Sequence, residues 1–314
     1  MAKFSGLKGT GFISRATVAA ITAALVGTTT GAMAADNPQG AAEAAAAAKT
    51  YKSAPAPARM APSSTASASA GAEARNLFAV SGDELYLYIA NGSGGYLPRE
   101  DLGAGYSSIK NGQQADNDGD GVADDLWMWD TAGYLGYASG EGDQGFTVGG
   151  GWNIYNKVLS PGNLGGAAAP DMIARDSAGA LWLYLGYGNG KLTGRTKVGS
   201  GWNIYNQIAG VGDLSGDGKA DIVARDTAGV LWLYKGTGDY KAPFSGRTKV
   251  GSGWGVYNTV VGVGDLDGDG RSDLIARDST GALYRYSGTG NAAAPYKARV
   301  KIGAGGWNTY RFMF

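Results

Sequence analysis

Downstream of residue 74 the apolar positions come in short runs, and three of these runs are close copies of one another. Residues 171–184 read DMIARDSAGALWLY, 221–234 read DIVARDTAGVLWLY and 273–286 read DLIARDSTGALYRY. In the middle copy the pattern predicts strands over 222–225 and 231–234, joined by an Asp-x-x-Gly turn. A Gly-rich loop, a third strand over 247–250 and a fourth over 257–263 follow. Both faces of these strands are apolar or aromatic, as expected of sheets covered on both sides. No 3.6-residue periodicity is sustained after residue 50, so the chain reads as all-β.

A second anchor repeats in step with the first: GGGWNIYN at 149–156, GSGWNIYN at 199–206, GSGWGVYN at 251–258 and GAGGWNTY at 303–310. Its tryptophans, Trp152, Trp202, Trp254 and Trp307, are 50, 52 and 53 residues apart. A divergent first copy ends at Gly105-Tyr106. A period near 50 with short strands predicts a β-propeller with one four-stranded blade per repeat. The ends of the array are out of phase. Arg75 to Tyr106 matches a repeat lacking its first strand, and Tyr310 to Phe314 matches a first strand alone. Joined, they make one whole blade and leave no free edge. The expected ring has five blades: 75–106 with 308–314, then 107–152, 153–202, 203–254 and 255–307. The alternative is an open array completed by partner blades.

Composition narrows the chemistry. The 314 residues include 55 Gly and 9 Pro, below the low-complexity range, and 11% aromatics, enough for a core. There is no Cys and no His, which removes disulfides, thiolate nucleophiles, Ser-His-Asp relays and nearly all transition-metal sites. Formal net charge is zero, with 27 basic and 27 acidic residues, and no basic patch argues for nucleic acid. Residues 1–34 carry Lys3, Lys8 and Arg15 without an acid, then an apolar run from Ala16 to about Val26, then Ala32-Met33-Ala34. These are the three regions of a secretory signal peptide, and the run is too short to span a membrane. The expectation is a secreted, extracellular protein without membrane insertion. Residues 35–74 are rich in Ala, Pro and Ser and read as a disordered linker, with a brief helix over 41–49.

Between the two anchors lies D-x-[DS]-x-D-G-x-x-D. It appears as Asp116, Asp118, Asp120 and Asp124; as Asp213, Ser215, Asp217 and Asp221; and as Asp265, Asp267, Asp269 and Asp273. Oxygen ligands at positions 1, 3, 5 and 9 around a tight Gly turn suit one hard cation. A backbone carbonyl at position 7 (Val122, Lys219, Arg271) completes the set. Crowding these carboxylates without a cation is electrostatically costly. Position 12 holds Trp127, Ala224 or Ala276 where an EF-hand needs Glu, so these are strand–loop–strand calcium sites. Blade three keeps the spacing from Asn163 to Asp171, but Gly165 and Ala167 replace the middle ligands. Blade one has no room for the loop. Three Ca2+ ions are expected.

The core G-x-G-D-L-x-G-D-G-x-x-D, at Gly210–Asp221 and Gly262–Asp273, resembles the FG-GAP or VCBS repeats of integrin-α-type propellers. Five blades of about 50 residues resemble tachylectin-type lectins. The pairing of ARDxxGxLWLY with GxGWNxY is similar to secreted actinobacterial propeller lectins, including lectin subunits of umbrella toxin particles. The resemblance covers residues 75–314 and implies a module that binds glycans or partner proteins. It departs from the pattern in two blades without calcium loops and in Val80-Ser81, where other blades have Arg-Asp.

Antiparallel strands place the calcium loops, which are 1–2 connections, on one face. The 2–3 turns and 4–1 connections share the other. That second face collects Arg175-Asp176, Arg225-Asp226, Arg277-Asp278, Trp152-Asn153, Trp202-Asn203, Trp254 and Trp307-Asn308. Aromatic rings stack on sugar C–H surfaces while Arg, Asp and Asn bond hydroxyls, and repetition gains by multivalency. The same residues equally suit blade packing and turn pinning. The leading expectation is a calcium-binding lectin for extracellular glycans, with docking to a secreted adaptor protein as the alternative. An enzyme working through paired carboxylates is the third class. Only Glu84, Glu100 and Glu141 lie in the propeller, and none sits at a repeated position.

Overall fold

The computed structural model describes residues 75–314 apart from 120–121, 141–144, 167–168 and 211. The expected signal peptide (1–34) and linker (35–74) lie outside the described residues.

Turn chemistry cuts the chain into strands short enough to form blades. Blade one contains β1 (Leu77–Ser81), β2 (Glu84–Tyr88) and β3 (Glu100–Ala104). Blade two contains β4 (Ile109–Ala115), β5 (Asp125–Asp130), β6 (Leu135–Ala138) and β7 (Gly145–Gly149). Blade three contains β8 (Tyr155–Gly162), β9 (Asp171–Asp176), β10 (Leu181–Tyr184) and β11 (Thr196–Gly199). Blade four contains β12 (Tyr205–Ala209), β13 (Ile222–Asp226), β14 (Leu231–Tyr234) and β15 (Thr248–Gly251). Blade five contains β16 (Tyr257–Gly264), β17 (Asp273–Asp278), β18 (Leu283–Tyr286) and β19 (Val300–Gly303). The fold is thus an all-β propeller of five antiparallel four-stranded sheets. Its only helical pieces among the described residues are single 3-10 turns, such as Trp202–Ile204, between the last strand of one blade and the first of the next.

The ring closes as the phase of the repeats predicts. The last strand, β20 (Phe312–Met313), pairs antiparallel with β1, Ala79 opposite Met313 and Val80 opposite Phe312. Phe78 and Phe314 exchange both backbone hydrogen bonds, at 2.9 and 3.0 Å, and Arg311 N–H donates to Val80 O at 2.8 Å. The Phe78 and Phe314 rings stack at 5.3 Å. A second edge is thereby removed from solvent.

The core lies between blades. One cluster joins Trp127, Trp129 and Leu135 of blade two to Tyr155, Val158 and Tyr184 of blade three, and four similar clusters continue around the ring. Both faces of each sheet are therefore covered, which is why the strands read as near-continuous apolar runs.

Candidate functional site

In blades three to five each 2–3 turn is built by one aspartate. Asp176 accepts N–H of Ala180 at 2.9 Å and Trp182 Nε1–H at 2.9 Å; Asp226 does the same with Val230 and Trp232. Asp278 takes N–H of Thr280 and Ala282. All three carboxyls are held below the usual range, Asp226 and Asp278 chiefly by their side-chain donors (Trp232, Thr280) and Asp176 by donors that outweigh its burial. The turn ends on glycine by necessity. Gly179 has φ +80°, and a Cβ there would stand 2.9 Å from Asn203.

The arginine beside each aspartate is a clamp. Arg225 Nε donates to Asn206 Oδ1 at 2.8 Å, and its Nη1 donates to Trp254 O at 3.0 Å and to Tyr257 O. Arg175 makes the same bonds to Asn156, Trp202 and Tyr205. Arg277 makes them to Asn258, Trp307 and Tyr310. Each guanidinium thus fastens the 4–1 connection of its own blade. Blades one and two lack the arginine and move the cation one strand inward. Arg311, where other blades have asparagine, donates to Tyr106 O and Ile109 O, and Lys110 Nζ donates to Tyr155 O at 2.6 Å.

The anchor tryptophans pack between blades. Trp152, Trp202 and Trp254 are buried and Trp307 half-buried. Their rings lie 4.5–4.8 Å from Tyr184, Tyr234, Tyr286 and Tyr88. Of the expected ligand set, the Arg-Asp pairs and the tryptophans are therefore engaged in the framework, while Asn153, Asn203 and Asn308 are exposed. Exposed beside them are Ile154, Ile204 and Val256, at 48, 47 and 55%.

A different arginine set lies at the surface, Arg99, Arg247 and Arg299 exposed and Arg195 half-buried. Arg99, Arg195, Arg247 and Arg299 precede the fourth strands and lie over Tyr86, Trp182, Trp232 and Tyr284 at 4.2, 4.1, 4.1 and 4.5 Å. Each donates to a tyrosine hydroxyl, of Tyr310, Tyr155, Tyr205 and Tyr257 in turn. Each of those tyrosines shares a hydrogen bond of 2.5–2.6 Å with a tyrosine of the blade's third strand. Four blades so carry the same arginine–aromatic–tyrosine surface. The signal was in the sequence as an arginine four to seven residues ahead of each Gly-rich anchor, masked by the stronger tryptophan motif.

On the opposite face, carboxylate oxygens of Asp265, Asp267 and Asp269 lie within 4.8 Å of one another. Asp265 accepts N–H of Gly268, Asp269 and Gly270, which curls the loop around it. Arg285 and Lys297 flank the cluster, 3.2 Å from Asp267 and 2.8 Å from Asp269. Asp267 Oδ1 is nonetheless buried without a hydrogen-bond donor, the state of an oxygen that awaits a cation. The donor set fits calcium. In blade four Asp213 is wrapped in the same way by Gly216 and Gly218, with Ser215 and Asp217 beside it. Lys219 and Arg271 give their N–H groups to the fifth-position carboxylates. In blade two Asp120 lies outside the described residues, while Asp116 accepts N–H of Gly119 at 2.7 Å.

The ninth-position aspartates do something else. Asp273 accepts N–H of Leu266 and Gly288, and Asp221 accepts Leu214, Ser215 and Gly236. Asp171, in the loop without ligands, accepts Leu164, Gly165 and Gly186. In blade two this place belongs to Asp125, bonded by Asn117 and Gly140, and not to Asp124. The blade-two loop is one residue longer than the spacing implied. Burial pushes Asp171 up to about 7 and Asp221 and Asp273 up to about 6.

Blade three fills the corresponding space with hydrocarbon. Leu185, buried, follows β10 where Ser287 follows β18, and Ser287 Oγ donates to Asp267 at 2.7 Å. A Cβ on Gly165 would run into Leu185 Cδ2.

Residues 168–224 and 213–276 match the FG-GAP-like repeat, so the chain carries FG-GAP-like repeats in its third to fifth blades. No curated protein matches the chain. Among solved structures it is similar to a mutant of AofleA from Arthrobotrys oligospora, at 11% identity and TM-score 0.43 over 75% of this chain and 74% of that one. It is also similar to the complex of Kap60 with yeast RCC1 (Prp20), at 10% and 0.35 over 70% and 57%, and to the Dos1 propeller, at 8% and 0.35 over 73% and 56%. The chain spans less than two thirds of the latter two.

Proposed function

We propose that the chain is an exported, calcium-stabilised recognition propeller that binds extracellular glycans through four copies of one surface site. The observation that carries this reading is the arginine laid on an aromatic ring in four of five blades, exposed in three of them and half-buried at Arg195. A guanidinium fork bonds sugar hydroxyls, the ring beneath holds the fork flat, and the tyrosine pair keeps both in place. Four weak sites around a rigid ring gain by simultaneous engagement of a dense glycan surface. FG-GAP-like propellers are typically non-catalytic binding or adhesion modules, which favours recognition over chemistry. Calcium in the Asp-rich loops stiffens the opposite face, and the 1–34 leader supports export.

The test is a glycan array with the full chain, repeated with Arg247→Ala plus Arg299→Ala. The hits should fade while melting stays nearly unchanged, because an exposed cation–π contact contributes only about 0.5–1 kcal/mol. Unchanged array signals in that variant would refute the site. A second reading, docking to a secreted adaptor protein, is favoured by the exposed Ile154, Ile204 and Val256. It predicts a blank array and loss of a co-purifying partner from culture supernatant in Ile204→Asp.

A further inference from the structure

The first strands of the five blades line a central cavity of about 290 Å³. Its walls include four cations, Arg75, Lys157, Arg277 and Arg311, and no Asp or Glu side chain. In a chain of zero formal net charge this is a strong segregation. The salt-bridging acids Asp217, Asp267 and Asp269 all sit in the 1–2 loops.

One level of the cavity is a ring of five matching positions. Lys157 stands opposite Arg175 in the sheet register, Gln207 opposite Arg225 and Thr259 opposite Arg277. Asn111 stands opposite Trp129 and Phe312 opposite Val80. The arginines at this level are spent on carbonyl and amide oxygens, and Arg277 Nη2 also donates to Thr259 Oγ1 at 2.8 Å, which leaves that hydroxyl an acceptor site for a ligand. Lys157 is not so spent: among the described residues its ammonium has no hydrogen-bond or salt-bridge partner, although protein surrounds it on the channel wall. A sheltered cation without a counter-ion is costly. Its amine is accordingly pushed down to about 8, by burial first and then by Arg175.

We propose that this ring binds an acidic monosaccharide, the carboxylate on Lys157 and the ring hydroxyls on Asn111, Gln207 and Thr259. Phe312 supplies the apolar wall on which a sugar's C–H face rests. The cavity volume is at the lower end of small-ligand sites, so one sugar ring fits and an oligosaccharide does not. The site stands on the channel's own chemistry and does not depend on the four surface sites proposed above.

Calorimetric titration of the full chain with sodium glucuronate, glucose and sodium acetate tests it. Glucuronate should bind, glucose and acetate should each bind at least about tenfold more weakly, and Lys157→Gln should lose about tenfold or more. The melting temperature of Lys157→Gln should hold or rise, since it loses an unpaired sheltered charge. Thr259→Val, which keeps the cation, should weaken glucuronate but not acetate. Absence of glucuronate binding, equal binding of glucose or acetate, or unchanged affinity in Lys157→Gln would each overturn the proposal. Arg247→Ala plus Arg299→Ala should leave glucuronate titration intact, so failure in the channel and failure at the surface are read separately.

Discussion

The loops of blades three and five have the same length and the same closing aspartate, yet they are filled differently. In blade five, three carboxylates converge, Ser287 bonds one of them, and Asp267 Oδ1 is buried without a hydrogen-bond donor. In blade three Gly165 takes the place of the middle ligand and Leu185 fills the space. Asp171 and Asp273 meanwhile accept the same kinds of backbone N–H groups. The motif thus joins two separable devices. The ninth aspartate ties the loop to the strand that follows, and the earlier positions gather the carboxylates. Where those carboxylates are missing, a hydrophobic side chain some twenty residues on takes up the space.

The comparison breaks most visibly under calcium withdrawal. A chelator should lower the melting temperature of the wild type, each saturated site being worth about 2.7 kcal/mol at a free calcium one hundred times its Kd. Metal analysis should find three ions, and Asp267→Ala should remove one. A fourth ion, assigned to blade three, would erase the distinction. Next in size, Asp171→Ala and Asp273→Ala should each cost about 3 kcal/mol, because each orphans buried N–H groups. Urea unfolding would measure this, and a much smaller loss for Asp171→Ala would mean that the shared aspartate is not a shared tie.

Leu185→Ala should cost about 2–3 kcal/mol through the cavity it leaves, without changing the calcium count. An effect of similar size is in pH. Burial raises Asp171 to about 7, so the folded carboxyl keeps a proton that the unfolded one, near the ordinary carboxylate range, releases. That advantage is full below about pH 4 and is lost as pH rises through about 7. In chelator, the wild type should therefore lose ground to Asp171→Asn between pH 5 and 7.5, as melting curves of the two would show. A constant difference would place the proton elsewhere.

Repetition made much of this legible. Four tryptophans at near-equal spacing gave the blades, and an out-of-phase start and finish gave the closure through β20. The calcium-type loops were visible because three copies kept register. The Arg-Asp motif was equally visible, but its clamp role was not. The guanidinium's partners are carbonyl oxygens some thirty residues on, and a carbonyl leaves no mark in a sequence. Leu185 was hidden for a related reason: it reads as one more apolar strand residue until the loop it fills is folded beside it. Lys157 carries no such mark in the sequence, because the inward face of a first strand is distinguished only once the ring is closed.

Arg311 joins two of these features. It lies at the entry to β20, which completes blade one, and its guanidinium also holds the connection at Tyr106 and Ile109 that leads into blade two. Opening the ring and releasing that connection are therefore a single event. An excursion that peels β20 from β1 should expose amide protons across both blades at one rate, making this junction one cooperative unit for hydrogen exchange. The three Arg-Asp blades keep their clamps when it opens, so the ring is expected to fray from one place and in one order.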